Sequence, residues 1–440
     1  MSDQSVKETN QTVPASHRRA ARGEAALSLL LCGAGYFLQR SYLAGVLSVL
    51  AEALAILLFR VWGLDAIRGL ITLGETEMRD HSLIMMVYGI LAIIVFAGFL
   101  IFWIGTVAST YRNGLKIRSA SYTPIRLKER TGEWLHEHAH VLFLAPGVVA
   151  IAAVILLPLV FSICLSFTDY DAAHQPPAHI LNWVGLKNYQ DLLVLGQYAK
   201  TYFGILGWTA VWAVCSSVLP YALGITIAIL LNNPRLHGRK VFKFIYILPW
   251  AIPGYITLLV LQSMFDTGYG FINQILGLFG VDNIRWLTSV TPARIALIIV
   301  SIWTGFSYPM MLSENIIRNI SKDVYEAAVL DGASSIQIFF RITLPLLMHS
   351  ISPIFIMSVA GAFNNFNTIY LITGGGPLNL DYQSAGSTDI LITWLFKLTI
   401  TNNKYNYGAA ISTVLFILIA TFSIINLRKT RAFSEEDMLA

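Results

Sequence analysis

Charge is scarce in this sequence: only 12% of its 440 residues are Asp, Glu, Lys or Arg, against about 25% in an ordinary soluble domain. A water-facing globule of this size needs charge to cover its surface, so a large soluble domain is excluded. Cysteine is nearly missing too. Cys32, Cys164 and Cys215 lie in or beside apolar runs, with no CxxC or Cys/His spacing. They read as small hydrophobes, and neither a disulfide framework nor a metal site is expected. His136, His138 and His140 alternate, a spacing that does not share one helical face, so they are not expected to bind zinc. No G-x-x-x-x-G-K-[ST] phosphate loop occurs. Gly374-Gly375-Gly376-Pro377 lacks the following lysine, so this chain is not expected to hold ATP or another cofactor. The polar residues 1–24 are not expected to act as a signal peptide, since no A-x-A-like site closes the apolar run behind them. The apolar runs also lack paired carboxylates and a nucleophile elbow, which argues against an enzyme.

What remains is apolar: 55% of the residues are hydrophobic and the mean hydropathy is +0.63. Crossing a hydrocarbon core takes roughly 17–25 mostly apolar helical residues. Residues 42–60, 83–104, 141–165, 205–231, 244–261, 295–312, 347–372 and 409–427 qualify. The expected fold is therefore all-α and integral to the membrane, with about eight transmembrane helices. Residues 25–38 are too short to cross alone and contain Gly33 and Gly35, so a re-entrant or interfacial helix is expected there.

Lys and Arg set the orientation. They gather near Arg18, Arg19 and Arg22, over 112–130, over 235–243, near Arg318, Lys322 and Arg341, and at 428–431. These are alternate loops, which places both termini in the cytoplasm of a cell whose plasma membrane the chain crosses several times. The basic residues are scattered between apolar runs, which suits lipid and not nucleic acid. Five segments follow: a tail over 1–24, two accessory spans and a basic loop over 25–140, a first core span and outer loop over 141–204, a core over 205–427, and a tail over 428–440. The outer loop, 167–204, carries Pro176-Pro177, Tyr170, Trp183, Tyr189 and Tyr202. Those aromatics read as interface anchors. Glu52 is ionisable and mid-span, and pairing or protonation among the helices is expected of it.

The segment most informative about function lies over 317–346, between the sixth and seventh spans, on the face expected to be cytoplasmic. Tyr325-Glu326-Ala327-Ala328-Val329-Leu330-Asp331-Gly332-Ala333 leads into Phe339-Phe340-Arg341 and Pro345. The spacing predicts two short helices broken at Gly332, where glycine tolerates a left-handed backbone. Ile336, Phe339 and Phe340 then form one apolar face, and a short exposed helix needs a partner groove to bury such a face. Pro345 is expected to restart the chain toward the next span.

This string resembles the EAA loop of ABC-transporter permeases, with Glu326, Ala327, Ala328, Asp331, Gly332, Ala333, Phe339 and Pro345 all fitting the pattern. The resemblance implies a coupling helix that docks on an ATPase subunit, with Gly332 setting the bend and Phe339 and Phe340 filling the socket. More of the chain, from about 141 to 427, is similar to MalF-like carbohydrate permeases of Gram-positive type. Ile247-Leu248-Pro249-Trp250-Ala251-Ile252-Pro253, Phe363-Asn364-Asn365-Phe366, Gly374-Gly375-Gly376-Pro377 and Thr388-Asp389-Ile390-Leu391 carry that likeness. It implies a type I ABC importer permease core for a maltodextrin or maltose. Its partners would be a second, MalG-like permease subunit, an ABC ATPase dimer that holds the ATP, and an extracellular sugar-binding protein.

The same resemblance places the sugar on the sixth and seventh spans. The matching residues are Ser301, Thr304, Gly305, Tyr308, Ser358, Gly361, Ala362 and Asn365. Gly305, Tyr308, Ser358 and Asn365 agree with the maltose pattern. Ser301, Thr304, Gly361 and Ala362 depart from it, which leaves room for another oligosaccharide such as a galacto-oligosaccharide. Such polar residues also serve as contacts between helices, the reading favoured for Asn367 and Thr368. An ion-coupled secondary transporter would need several intramembrane carboxylates, and Glu52 alone is seen.

Overall fold

The computed structural model describes residues 14–118, 139, 143–194, 196–233 and 235–429. It is helical throughout. Among the described residues β-structure is limited to two isolated bridges, Thr168 with Trp183 and Leu378 with Gly386. The histidines at 136, 138 and 140, most of the basic loop, and the tails at 1–13 and 430–440 lie outside the described residues. The chain forms two compact units, Met1–Cys164 with Thr168–Trp183, and Leu165–Phe167 with Val184–Ala440.

The first unit begins with α1 (Ala15–Leu30) and α2 (Ala34–Leu38). The apolar stretch 25–38 is thus not one helix. It breaks at Gly33, whose φ of +75° is open to glycine at little strain. The break lets α2 fold back on α1, where the Gly35 N–H donates to Ser28 Oγ at 2.9 Å. The Cys32 N–H, freed by the same break, donates to Glu52 Oε2 at 2.8 Å, which gives that mid-span carboxylate its partner. Next come α3 (Tyr42–Thr72), α4 (Ser82–Ile117) and α5 (Phe143–Leu165). The first span runs past its expected end at residue 60. Ala66 and Gly69 are buried beyond that point, and they extend the packed face through a wider turn at Phe59–Gly63. Trp183 anchors a loop in this unit by donating its indole N–H to the Ile71 carbonyl at 3.0 Å.

The second unit holds α6 (Lys187–Leu193) and α7 (Gly196–Asn232). The outer loop is therefore shorter than expected, and Tyr202 lies on α7, buried in a cluster with Trp394 and Ile411. It is a core residue and not an interface anchor. Two expected spans are bent pairs. In the first, α8 (Arg239–Ala251) meets α9 (Gly254–Met264) at 95°. Pro253 lacks an N–H and pushes Ile252 out of the helical region, to φ −84°, ψ 138°. Past the short α10 (Phe271–Leu278), α11 (Val290–Gly305) meets α12 (Ser307–Asn319) at 42°. The short α13 (Lys322–Leu330) precedes α14 (Ser335–Ala362). The seventh stretch, too, is interrupted. The chain leaves α14 at Phe363 and restarts at Asn365, the cap of α15 (Phe366–Thr373). Then follow α16 (Leu391–Thr401) and α17 (Tyr405–Lys429). Among the described residues six helices are long and apolar enough to cross a membrane, and up to eight if each bent pair is one span. The fold is the expected all-α membrane bundle.

Candidate functional site

Within the second unit, α7, α11, α12 and α14 enclose a cavity of ≈ 270 Å³. Gly305, Tyr308, Ser358, Gly361, Ala362 and Asn365 line it, as the sequence suggests, and Ser216, Ser217, Pro220, Tyr221 and Pro309 complete the wall. No charged side chain is among them. The missing side chain at Gly305 is what allows α11 to approach α7, because a Cβ there would lie 3.1 Å from Pro220 Cβ. Pro220 has no N–H, so the Ser216 carbonyl one turn earlier lacks its usual helical donor. The Ser358 hydroxyl donates to the Ile354 carbonyl at 3.0 Å and lies 3.0 Å from the Tyr221 hydroxyl. Asn365 Oδ1 accepts the Thr368 N–H at 3.3 Å, so this side chain both lines the cavity and starts α15. Its capping oxygen leaves the amide NH₂ as a donor.

Ser301 and Thr304 are not among the lining residues. Ser301 is buried and donates to its own helix at the Ile298 carbonyl, 2.7 Å away, while Thr304 donates to the Val300 carbonyl at 2.9 Å. Hydroxyls commonly bond back this way inside helices. Ser216, Ser217, Pro220, Tyr221 and Pro309 are lining residues that sequence reasoning missed, and Tyr221 is the one whose side chain bonds across the wall to a predicted residue. The proline before Tyr221, mid-helix in an apolar run, was the available signal.

A second feature is the connector between α12 and α14. Asp331 ends α13, and Gly332 follows at φ +78°. The Ala333 N–H reaches back to the Ala328 carbonyl at 3.0 Å, the six-to-one bond of a glycine-terminated helix. Ser321 Oγ caps the start of α13 through the Asp323 N–H at 3.2 Å. Ser334 and Gln337 form a reciprocal capping box at the start of α14. The Tyr325 hydroxyl lies 3.2 Å from the Thr343 hydroxyl and ties the two limbs together. Instead of ending before Pro345, the second short helix continues into the long one through a wider turn at Phe339–Thr343. There the Leu344 N–H donates to the Phe339 carbonyl, which accommodates the donor that Pro345 lacks. Glu326 and Ala327 are exposed and Ala328 is buried. Leu330 is 87% exposed, Ile336 71% and Phe340 60%, while Phe339 is half-buried with its ring centroid 4.9 Å from that of Phe340. The bend displays an uncovered apolar tip.

Behind the connector, on α12, sits Glu314, which is fully buried. Lys243 lies 2.8 Å from its carboxylate, Arg239 lies 3.3 Å away, and Arg318 pairs with it from the next helical turn. The sequence signal for part of this cluster was the i, i+4 spacing of Glu314 and Arg318.

At the other end of the second unit, two of the sequence fragments interlock. The Ser387 N–H donates to the Pro377 carbonyl at 2.8 Å and the Thr388 N–H to the Gly375 carbonyl at 3.2 Å. Trp208 donates to the Thr388 carbonyl at 3.1 Å, and Arg294 to the Ser387 carbonyl at 2.8 Å. The buried Asp389 accepts from Lys397 at 2.6 Å and from the Gly386 N–H at 2.7 Å. The Gly374–Pro377 segment is therefore a packing element.

Most of the cavity wall, the connector and most of these interlocked residues fall within residues 220–429, which match the family described as "Binding-protein-dependent transport system inner membrane component". The chain is 34% identical over 420 residues to the galactooligosaccharides transport system permease protein GanP of Bacillus subtilis strain 168, covering 94% of this chain and 99% of that one. It is 32% identical over 424 residues to the maltodextrin transport system permease protein MdxF of the same organism, covering 94% of this chain and 97% of that one. A solved structure of a bacterial ABC transporter involved in the import of the acidic polysaccharide alginate shares the fold. Its TM-score is 0.57 at 18% identity, over 70% of this chain and 100% of that one. The chain belongs to the permease components of binding-protein-dependent ABC importers, multi-pass membrane subunits that carry out transport and not catalysis.

Proposed function

We propose that this chain is the permease subunit of an ATP-driven importer for a neutral oligosaccharide, a maltodextrin first and a galacto-oligosaccharide second. The single observation that carries the substrate class is the cavity in which Gly305, Tyr308, Ser358, Gly361, Ala362 and Asn365 meet. It offers hydroxyl and amide groups and the Tyr308 and Tyr221 rings, with no charge for a neutral sugar to compete against. The two relatives described above transport these two sugar classes. In this reading residues 205–427 form the translocation core and residues 25–140 an accessory part. Both termini and the connector face the cytoplasm, where Lys and Arg are dense. The apolar tip at Leu330, Ile336 and Phe340 seats in a groove of an ATPase dimer, which binds the ATP. A second permease subunit completes the path, and an extracellular binding protein delivers the sugar. The test is uptake of labelled oligosaccharides by vesicles holding the assembled complex, with ATP inside. ATP-dependent uptake of maltodextrins supports the reading. Uptake that needs an ion gradient and no ATP, or uptake of neither sugar class, overturns it.

A further inference from the structure

A second cavity, of ≈ 550 Å³, opens within the second unit at the far end of α15. Its size lies in the usual range for small-ligand pockets, about 300–1,000 Å³. The wall carries the rings of Tyr370 and Phe396, the amide of Gln262, the hydroxyls of Thr373 and Thr401, and the Lys397 ammonium. The two rings belong to a three-ring cluster. Phe366 stacks on Tyr370 at 4.8 Å between centroids and lies 5.0 Å from Phe396, which itself lies 5.3 Å from Tyr370. Rings braced in this way offer flat apolar faces held in place, with donors and acceptors around them. That combination suits a sugar ring, which has an apolar face and a rim of hydroxyls.

Charge narrows the ligand. The single ionic group on the wall, Lys397, is paired at 2.6 Å with Asp389, whose side chain is fully buried. The cavity therefore presents no uncompensated cation, and a uronate-bearing chain would find nothing to pair with. Position narrows it further. Asn365 lies in the first cavity and caps α15, while Thr373, the last residue of α15, lies in the second. The eight residues of α15 span only about 12 Å.

We propose that this second cavity is a subsite for a neutral oligosaccharide, holding the sugar rings of a longer chain that the smaller cavity cannot take. The proposal rests on the oligosaccharide reading above and adds a length preference to it. In that reading the second cavity faces outward, so it meets the incoming sugar first.

The test uses the complete complex in vesicles, with labelled di- and hexasaccharides of one linkage. Thr401→Trp narrows the cavity from an exposed position, and Gln262→Ala removes a polar group from its wall. The ratio of hexasaccharide to disaccharide uptake is expected to fall roughly three- to tenfold, the effect of one or two lost sugar contacts. A ratio unchanged in both variants, or both sugars falling in proportion, overturns the subsite. Ser358→Ala, in the first cavity, serves as the reference and is expected to lower both sugars together. A wild-type complex that moves neither sugar overturns the oligosaccharide reading itself, and the subsite with it.

Discussion

The hydroxyl of Tyr221 on α7 lies 3.0 Å from that of Ser358 on α14. This contact joins two spans at the wall of the smaller cavity, and both side chains line it. Ser358 spends one bond on its own helix, so Tyr221 fixes where its remaining hydrogen-bonding capacity points. Tyr221→Phe removes the hydroxyl but keeps the ring, which rests edge-on against Phe355 at 5.0 Å. The fold is expected to survive, while the KM for oligosaccharide uptake rises roughly three- to tenfold. Ser358→Ala is expected to do the same, and the double variant to be less than additive, as for two groups sharing one interaction. Fully additive effects would separate the two hydroxyls functionally.

At the connector the backbone and the apolar tip make separable contributions. A Cβ on Gly332 would meet nothing within 4 Å, so the strain of its φ of +78° is the sole obstacle to a side chain. Gly332→Ala should therefore cost about 1–2 kcal/mol locally and leave thermal unfolding of the bundle nearly unchanged. The ATPase stimulation that accompanies uptake should weaken, since the angle between α13 and α14 depends on this residue. Phe340→Asp leaves the angle alone and charges the tip. Its expected effect is a loss of ATPase retention on co-purification of about tenfold or more, as for a central apolar interface residue. If the complex retains its ATPase fully in this variant, the tip is not the docking element.

The spans and the connector were legible in the sequence, because long apolar runs and the Asp331-Gly332 helix stop are local signals. Asn365 and Tyr308 were reachable through the resemblance. The bends were less so. Pro253 stood in plain view, but a proline inside an apolar run is compatible with a mild kink as well as with the 95° turn that forms. Tyr221 was missed because its significance depends on a partner 137 residues away. Glu314 was missed for a similar reason. Next to Arg318 it reads as a surface pair, and only the fold brings Lys243 and Arg239 to it and buries it. Ser301 and Thr304 also came from the resemblance, and the structure places them off the cavity wall, with their hydroxyls bonded to the helix carbonyls behind them.

The interlocked loops at the far end allow a comparison between adjacent glycines. Gly374 and Gly375 both have positive φ, +59° and +79°. Around Gly374 a Cβ would find open space, whereas at Gly375 it would overlap the Asp389 carboxylate. Gly374→Ala thus carries the backbone strain alone, about 1–2 kcal/mol. Gly375→Ala adds the displacement of a buried carboxylate that holds Lys397 and the Gly386 N–H. Overpacking of this kind adds typically about 1–3 kcal/mol. Thermal unfolding of the purified chain should show the second variant less stable than the first. Equal melting temperatures would mean that Asp389 moves aside freely.

In the first unit, the buried Glu24 carboxylate is held by Arg118 and by the Gln39 amide at 2.9 Å. Burial pushes this carboxyl up, but the Arg118 and Gln39 hydrogen bonds and the Arg118 charge outweigh it and hold it below the ordinary glutamate value. A carboxyl depressed in the folded chain stabilises that chain above its unfolded pKa and loses the contribution as pH falls through the folded value. Glu24→Gln removes the charge and keeps an amide in its place. At neutral pH the variant should unfold at a lower temperature than wild type, by the loss of roughly 1–3 kcal/mol. As pH drops below the ordinary glutamate range the wild-type carboxylate is protonated, and the two melting temperatures should converge. The difference between the two chains isolates Glu24 from the other carboxylates that titrate over the same range. A gap that stays constant as the pH falls from 7 to well below the ordinary glutamate range would assign the effect to lost packing and not to the charge on Glu24.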